Sequence, residues 1–421
     1  MRNCVCGEVL DAHYGGSRGA VCMSHRHVIF LQGCVTRKIS LRLVRVPLTA
    51  QQSVDLLESR IQAFDSLFSL LASKFLVLAG CSSRHIVTGK CNGFVTTSEF
   101  FDIEDPSNSC KLSDFPKKLS SPVGGFTQKG PFICSGYYDD GSRSSDCYLL
   151  TRDRQFKKFR SKLRTSRYEA ASIVTDGGEL WVTGGYKKAN DYLDTTELVT
   201  TQRQRYSTRL KKQVYGHCVT RINATRAILT GGVTGGGANS KSTYFIDLTT
   251  MEVLEKGPEP NLNDARLNHG CTTFRHKNDT VVLVAGGRRG TCPLGIFCTA
   301  YIHLNSWEFL NLSDKELSWK KFDNYHPLPF KLYYFSLVSS TRGPLAIGGY
   351  NHEDGIQSRK ILRLDCGSLD DISQCDWKEE EEMTLEVGRY GHVVIPLGDA
   401  FAHEICSTDC RNVNNCNLTS R

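Results

Sequence analysis

The sequence is poor in methionine and has no long apolar run. It contains 4 methionines but 37 glycines in 421 residues, a composition that favours many tight turns over helical packing. The most apolar stretch, 67–80, is interrupted by Lys74 and is shorter than the roughly 18 residues that a spanning helix needs. The sequence therefore predicts no membrane-spanning helix.

A strong net charge and a signal peptide are also missing. The formal charge of +8 is a small excess over 421 residues, so it does not indicate nucleic-acid binding. The first residues, MRNCVCGEVLDAHYGG, lack the apolar core of a secretory signal. A secreted protein would need a longer or different N-terminus than this one, and a cytoplasmic location stays open as the alternative.

Cysteine, in contrast, is abundant. Eighteen cysteines are dense for a reducing cytosol, so they favour an extracellular or secretory-pathway protein with disulfide bonds. Sequence does not fix the connectivity, but short separations predict bonds between neighbours. The predicted pairs are Cys81–Cys91, Cys134–Cys147, Cys292–Cys298 and Cys366–Cys375. Candidate N-glycosylation sequons begin at Asn223, Asn278, Asn311 and Asn417.

Six short apolar runs end in small residues, most often in a glycine pair. Each run predicts a buried strand, and the glycine lets the backbone leave that strand where no side chain would fit. The closing glycines recur at intervals of 47 to 62 residues, which suits a four-stranded sheet with its loops. The glycines of these runs are Gly80, Gly136, Gly184, Gly185, Gly231, Gly232, Gly286, Gly287, Gly348 and Gly349.

A second segment recurs ahead of the apolar runs. It reads SRYEAASIV at 166–174, VYGHCVTRI at 214–222, ARLNHGCTTF at 265–274 and GRYGHVVIPL at 388–397. With the glycine pairs and aromatic strands such as STYFIDL at 242–248, it resembles the kelch repeat over 74–406.

The resemblance implies an all-β fold, a six-bladed kelch-type β-propeller with four strands per blade. A strand near 389–397 would close the ring against the first blade, and a seventh blade would need a repeat hidden in 28–46. For His217, His269 and His392 the resemblance implies a structural role inside the blades.

The segments outside the repeats are short. Residues 1–48 form an unclassified leader, whose Cys4, Cys6, Cys22, His25 and His27 lack the spacing of a zinc module. Residues 49–73 predict an amphipathic helix that docks on the repeats or, through 54–71, mediates self-association. A cysteine-containing tail follows at 407–421.

Basic residues concentrate in two neighbouring repeats. One run extends from Arg152 to Arg167 and the other from Arg203 to Lys212. Adjacent blades would bring the runs together, either as a patch that attracts an acidic protein or a sulfated glycan, or as a solvated outer edge. The candidate patch consists of Arg154, Lys157, Lys158, Arg160, Arg203, Arg205 and Arg209.

No catalytic or cofactor motif accompanies the repeats. The glycine-rich loop 231–240 lacks the Lys-Ser/Thr ending of a phosphate-binding loop. We expect a non-enzymatic scaffold without cofactor or metal, which binds a protein partner through the loops 81–95, 288–298 and 351–358. The alternatives are an intracellular kelch adaptor for ubiquitin ligation and, less favoured, a metal-dependent enzyme of kelch fold.

Overall fold

The structure, a computed structural model, describes strands within 12–31 and most of 72–406. The described ranges are 12–14, 17–24, 27–31 and 72–406, the last with gaps at 86–89, 109, 189–190, 200–203, 236, 255–259, 292–299, 323–325 and 368–370. The chain divides into two compact units, Met1–Leu57 and Glu58–Arg421. The helix predicted for 49–73, apart from its last two residues, and the tail at 407–421 lie outside the described residues.

The described residues of the first unit form a small antiparallel sheet. β1 (Ala12–Tyr14), β2 (Ser17–Ser24) and β3 (His27–Leu31) pair in that order. The sequence gives no repeated signal here, so this sheet was not predicted. Cys22 lies in β2 and His27 begins β3, whereas Cys4, Cys6 and His25 lie outside the described residues. The segment 28–46, considered for a seventh blade, lies outside them from residue 32 onward.

The second unit is built mainly of short strands. The first are β4 (Lys74–Leu78), β5 (Glu99–Asp102), β6 (Leu119–Ser120), β7 (Val123–Thr127), β8 (Gly130–Cys134), β9 (Tyr137–Tyr138), β10 (Cys147–Leu150), β11 (Phe156–Lys158), β12 (Ala171–Val174), β13 (Leu180–Thr183), β14 (Tyr186–Lys188), β15 (Asp191–Tyr192), β16 (Thr195–Val199) and β17 (Gln204–Arg209). Next come β18 (Val214–Tyr215), β19 (Cys218–Arg221), β20 (Arg226–Thr230), β21 (Val233–Thr234), β22 (Thr243–Asp247), β23 (Glu252–Val253), β24 (Gly270–His276), β25 (Asp279–Ala285), β26 (Arg288–Thr291), β27 (Ala300–His303), β28 (Trp307–Asn311) and β29 (Lys320–Phe322).

The strand series ends close to a short C-terminal helix. The remaining elements are β30 (Leu332–Tyr333), β31 (Ser336–Ser340), β32 (Gly343–Ile347), β33 (Tyr350–Asn351), β34 (Ile356–Gln357), β35 (Lys360–Asp365), a 3₁₀ turn (Ile372–Gln374), β36 (Asp376–Thr384), β37 (Val393–Leu397) and helix α1 (Asp399–Cys406). The all-β class expected from the sequence is therefore confirmed. In the described ranges, no helix has the length and apolar character to span a membrane.

Six antiparallel sheets follow one another along this unit. Sheet 1 has the order β7-β8-β10-β11, sheet 2 β12-β13-β16-β17, sheet 3 β19-β20-β22-β23, sheet 4 β24-β25-β28-β29, sheet 5 β31-β32-β35-β36 and sheet 6 β37-β4-β5. The first strand of each sheet contacts the first strand of the next, and β37 of sheet 6 contacts β7 of sheet 1. The contacts between first strands therefore form a closed cycle through the six sheets.

Sheet 6 combines strands from the two ends of the unit. β37 pairs with β4 so that Val393 lies opposite Leu78 and Leu397 opposite Lys74. Helix α1 follows β37 directly, and a disulfide between Cys110 and Cys406 ties this helix to the loop after β5. The strands β4 and β37, near the first and last described residues of the unit, are thus joined in one sheet, and one covalent bond fixes helix α1 beside them.

The six apolar runs of the sequence form the second strand of each sheet. Leu180–Thr183 in β13 is buried at every position, and large side chains such as Trp181 and Trp307 are fully buried between sheets. Burying a large apolar side chain contributes about 1.5–3 kcal/mol, so the contacts between neighbouring sheets supply most of the core.

The glycine pairs are required because the next segment passes very close. Gly231 has φ +63°, and a Cβ there would lie 2.6 Å from the carbonyl oxygen of Arg266 and 2.8 Å from the ring of His269. Gly232 has φ +89°, and its Cβ would lie 2.8 Å from the carbonyl oxygen of Tyr215. Because Gly231 has no side chain, the segment that leads into the neighbouring sheet can pass close to it. Because Gly232 has no side chain, the segment that leads into its own sheet can do the same.

The repeated histidines pack between neighbouring sheets. His217 Nε2 lies 2.8 Å from the hydroxyl of Thr183, and His269 Nε2 lies 3.0 Å from the hydroxyl of Thr230. At the corresponding place beside His392 the chain has Ile347 instead of threonine, and the imidazole interacts with the main chain of Ile347 and Arg389 rather than with a hydroxyl. Burial lowers the pKa of each imidazole to about 3.

Buried arginine–glutamate pairs recur in sheets 2, 4 and 6. They are Arg167–Glu197 at 2.5 Å, Arg266–Glu308 at 2.9 Å and Arg389–Glu99. In each case the guanidinium also donates to the carbonyl of the first residue of the small-residue pair, Gly184, Gly286 or Ala79. Arg167 ends a basic run in the sequence, but the structure buries it completely.

Five disulfides connect described cysteines. Three of the predicted pairs are bonded: Cys81–Cys91, Cys134–Cys147 and Cys366–Cys375. Cys292 and Cys298 lie outside the described residues. Two further bonds were not predicted, Cys110–Cys406 and Cys218–Cys271, the latter joining the first strands of sheets 3 and 4. Such bonds are typical of an oxidising, extracellular environment.

Candidate functional site

Each sheet presents two paired positions at the end where the glycines lie. One residue leads into the first strand, and the other follows the small-residue pair that ends the second strand. The six pairs are Ser120 with Tyr137, Tyr168 with Tyr186, Tyr215 with Val233, Leu267 with Arg288, Tyr333 with Tyr350, and Tyr390 with Cys81. Seven of these twelve residues are tyrosine, and we call the set of twelve the tyrosine face. Its half-buried members are Tyr137, Tyr168, Tyr186, Tyr215, Arg288 and Tyr350, and the other six are buried.

The tyrosines contact one another across sheet boundaries in two groups. In sheets 1 to 3, Tyr168 lies between Tyr137 and Tyr186, with ring centroids 5.6 and 3.8 Å apart, and Tyr186 contacts Tyr215 at 4.9 Å. In sheets 5 and 6, the Tyr350 ring lies 5.1 Å from Tyr333 and 6.0 Å from Tyr390. Aromatic contacts at these distances hold the rings in fixed orientations.

Three arginines lie among the rings. Arg143 lies over Tyr137 and Tyr168, at 5.6 and 5.0 Å from the ring centroids. Arg288 lies over Tyr301, Tyr333 and Tyr334, at 4.4, 5.0 and 5.3 Å. Arg84 donates from Nη1 to the Tyr333 hydroxyl at 3.0 Å. The tyrosine face therefore combines tyrosine rings with the positively charged guanidinium groups that contact them.

Six residues linked by five main-chain hydrogen bonds lie beside this face, and we call these residues the inner ring. Its members follow the positions that lead into each first strand, and each has a left-handed φ between 50° and 60°: Ser121, Glu169, Gly216, Asn268, Tyr334 and Gly391. Successive members are bonded N–H to carbonyl, from Gly216 to Glu169, Asn268 to Gly216, Tyr334 to Asn268, Gly391 to Tyr334 and Ser121 to Gly391, at 2.6 to 2.9 Å. These bonds connect the six sheets independently of side chains.

Two side chains of the inner ring meet from opposite sheets. The Tyr334 hydroxyl of sheet 5 donates a hydrogen bond to Glu169 Oε1 of sheet 2. Arg288 Nη2 lies 3.3 Å from the same hydroxyl and 3.4 Å from Asn268 Oδ1. Burial raises the pKa of Glu169, whereas the Tyr334 hydrogen bond and the charge of Arg288 oppose that rise. Burial and the Glu169 charge raise the pKa of Tyr334 well above its usual value.

His303 lies against Tyr333, with ring centroids 5.0 Å apart. The imidazole of His303 also stacks on His352 with centroids 3.6 Å apart. Burial, followed by the charges of His352, Arg288, Arg84 and Lys331, lowers the pKa of His303 to about 4. This imidazole is therefore neutral at neutral pH.

Described residues of the three loops in which contacts were predicted lie at this end of the sheets. Arg84 lies in loop 81–95, Arg288 begins loop 288–298, and loop 351–358 contains Ile356, which is 55% exposed. The tyrosines themselves were not predicted as site residues. For five of the seven, the signal was an aromatic residue directly after the glycines, Arg167 or Arg389, whereas Tyr215 and Tyr333 follow Val214 and Leu332.

The predicted basic patch lies elsewhere, on outer strands. Lys157 and Lys158 of β11 pair with Asp153 and Asp146 at 3.1 and 2.7 Å, and Arg209 of β17 pairs with Asp194 at 3.0 Å. Arg154 and Arg160 flank β11, Arg205 lies in β17, and Arg203 lies outside the described residues. The paired members are partly neutralised, which suits a solvated edge better than an anion site.

The remaining site predictions concern modification and metal. Asn223 and Asn278 are exposed, Asn311 donates to Asp279 Oδ2 at 2.9 Å, and Asn417 lies outside the described residues. Within the part of the chain that the structure covers, no three His, Cys, Asp or Glu side chains are grouped as metal ligands.

Comparisons with known proteins agree with an all-β fold and give no function. No protein-family profile matches the sequence, and no curated protein sequence matches it. The solved structure of YjhT is similar, with a TM-score of 0.56 and 11% sequence identity, covering 74% of this chain and 97% of that chain. At this identity the likeness concerns the fold alone.

Proposed function

We propose that 74–406 form a six-bladed kelch-type β-propeller that serves as a non-enzymatic scaffold for a protein partner outside the cell. Support for six blades comes from the six sheets, the cyclic contacts of their first strands and the pairing of β37 with β4. In that arrangement the inner ring surrounds the propeller axis, and the tyrosine face is one of its two ends.

The observation that carries the binding function is the tyrosine face. Tyrosine and arginine are the residues most enriched among those that dominate protein–protein binding energies. Here tyrosines recur at equivalent positions of five of the six sheets, with three arginines beside them. Main-chain pairing and ring contacts hold these side chains, so little conformational entropy is lost on binding. The exposed Tyr301 and Ile356 extend the surface beyond the rings.

An extracellular role is supported by the disulfides. Bonds such as Cys218–Cys271 and Cys110–Cys406 join separate parts of the fold and persist only in oxidising surroundings. The intracellular adaptor for ubiquitin ligation would have to work without them. No specific arrangement in the described residues favours the kelch-fold enzyme over the scaffold.

The test is retention of extracellular proteins by the full chain, immobilised and presented to a library of secreted domains. We expect Tyr186→Ser and Tyr350→Ser each to raise the Kd of a retained partner about tenfold. The matched control is Leu317→Ser, since Leu317 is 38% exposed but follows β28 at the other end of sheet 4. The proposal is contradicted if the affinity of the partner is unchanged in both tyrosine variants, or if it falls equally in the control.

A further inference from the structure

Two of the N-glycosylation sequons lie in corresponding turns of neighbouring sheets. Asn223 lies in the turn between β19 and β20 of sheet 3, and Asn278 lies in the turn between β24 and β25 of sheet 4. Both turns are at the end opposite the tyrosine face, since β20 and β25 run from them towards the glycine pairs. In sheet 4 the 7 residues of β25 span the distance between the two ends, which is about 24 Å. A group attached to either turn is therefore far from the tyrosine face.

The carboxamide nitrogens of these two residues are accessible. Both side chains are exposed. Asn223 Oδ1 accepts hydrogen bonds from the main-chain N–H and the hydroxyl of Thr225, at 3.0 and 3.3 Å. Asn278 accepts a hydrogen bond from Arg275 Nη1 through its main-chain carbonyl oxygen, at 3.1 Å. In the described part of the chain, neither Nδ2 atom has an acceptor, and Nδ2 is the atom that carries an N-linked glycan.

The space next to the first of these turns is open. Ala224 and Thr225, which follow Asn223 in its sequon, line a cleft of about 580 Å³ between sheets 2 and 3. Thr175 and Gly177 of the turn between β12 and β13 line the same cleft. A glycan on Asn223 can therefore extend over the cleft without displacing a described side chain.

Asn311 differs from both residues, although it lies at the same end of sheet 4. Its side chain is half-buried, its Nδ2 donates to Asp279 Oδ2 at 2.9 Å, and its Oδ1 accepts from the main-chain N–H of Ser313 at 2.9 Å. The hydrogen bond from Asn311 also lowers the pKa of Asp279. Because a sugar on Nδ2 would compete with this bond, the folded chain accommodates a glycan at Asn311 less readily than at Asn223 or Asn278.

We propose, resting on the extracellular function proposed above, that Asn223 and Asn278 carry N-linked glycans and that Asn311 does not. In the transfer, Nδ2 attacks C1 of the reducing-end sugar of a lipid-pyrophosphate-linked oligosaccharide. The N–C1 bond forms as the bond from C1 to the pyrophosphate oxygen breaks, so the lipid pyrophosphate leaves and the amide loses one proton. The two glycans cover the end of sheets 3 and 4 that lies away from the tyrosine face, and they leave that face open to a protein partner.

The test is the occupancy of each sequon in the full chain, secreted from mammalian cells behind an added signal peptide. Peptide N-glycosidase converts each glycosylated asparagine to aspartate, and mass spectrometry of the peptides locates these positions. We expect conversion at Asn223 and Asn278 and none at Asn311. Asn223→Gln and Asn278→Gln should each lower the mass of the intact protein by one glycan. Thr225→Ala should have the same effect as Asn223→Gln, because it removes the hydroxyl that the sequon requires.

Glu316→Asn supplies the matched control for Asn311. It creates a sequon with the same letters, N-L-S, in the same loop, but at a position whose side chain is exposed. We expect this variant to gain one glycan while Asn311 stays unmodified. That result would show that the surroundings of Asn311 in the fold, and not the letters of its sequon, keep it free of sugar.

Two outcomes overturn the inference. They are the absence of glycans from Asn223 and Asn278, and an occupancy of Asn311 as high as that of the new sequon in Glu316→Asn. Neither measurement needs a partner, so this test and the test of the scaffold function fail separately. Unoccupied sequons together with a partner that the tyrosine variants weaken reject the glycans alone, whereas occupied sequons without any retained partner reject the scaffold function alone.

Discussion

Tyr334 donates a hydrogen bond to Glu169 from the sheet on the opposite side of the inner ring. The two residues are 165 positions apart in the chain, yet both occupy the same place in their repeats, with left-handed φ of 55° and 50°. Two other repeats have glycine at the same place, Gly216 and Gly391, with φ of 60° and 57°.

Tyr334→Phe removes the donor and leaves a partly buried carboxylate with one partner fewer. We expect the free energy of unfolding to fall by about 1–3 kcal/mol, the usual cost of a buried polar group left unpaired. Urea denaturation at neutral pH measures the loss. Tyr301→Phe, whose ring is 42% exposed, is the control and should change stability little. Equal stability of the two variants would show that the bond across the ring contributes nothing.

Glu308→Gln leaves the buried guanidinium of Arg266 with only the more distant Asp264, at 3.9 Å, as a counter-charge. Removing one partner of a buried ion pair costs about 3–5 kcal/mol, so this variant should unfold at far lower urea concentration. The matched control is Glu379→Gln, which breaks the exposed pair with Lys360 at 2.7 Å and should cost about 1 kcal/mol or less. If Glu308→Gln loses no more free energy of unfolding than the control, the buried arginine–glutamate pairs do not stabilise the fold as expected.

Gly231→Ala tests the close approach of neighbouring sheets. The new Cβ would meet the carbonyl oxygen of Arg266 at 2.6 Å, in addition to the strain of φ +63°. Gly367→Ala supplies the strain alone, since Gly367 has φ +50° and nothing within 4 Å of its Cβ position. We expect a loss of about 1–2 kcal/mol in the control and a clearly larger one in Gly231→Ala. Similar melting temperatures for the two variants would remove the steric reason for the glycine pair.

The buried histidines predict destabilisation by mild acid. The folded-state pKa of His217, His269 and His392 is about 3, below the ordinary value of 6.5. The unfolded chain therefore binds more protons between these values, so stability is complete above pH 6.5 and is lost as the pH falls towards 3. We expect His269→Gln to be less stable at pH 7 but to lose less on going to pH 5 than the natural chain. The exposed His403→Gln is the control, and equal losses in all three proteins would count against this origin.

Local features of the fold could be predicted from the sequence better than contacts between residues far apart in the chain. The apolar runs with their glycines predicted the second strands, and three short cysteine separations matched bonds. Arg167 resembles Lys157 in sequence, and only the position of Glu197, 30 residues later, explains its burial. The bond from Cys110 to Cys406 spans 296 residues, a separation at which no local pattern operates. The tyrosine face is likewise assembled from residues of all six repeats.

The pairing of β37 with β4 sets an order on biosynthesis. Until residue 397 has emerged, β4 has only β5 beside it, and its other edge offers unpaired main-chain groups to any strand it meets. The nascent chain must protect that edge, or rely on a chaperone to do so, until β37 has been synthesised. Truncation before β37 should therefore yield an aggregating product even though five complete sheets precede it.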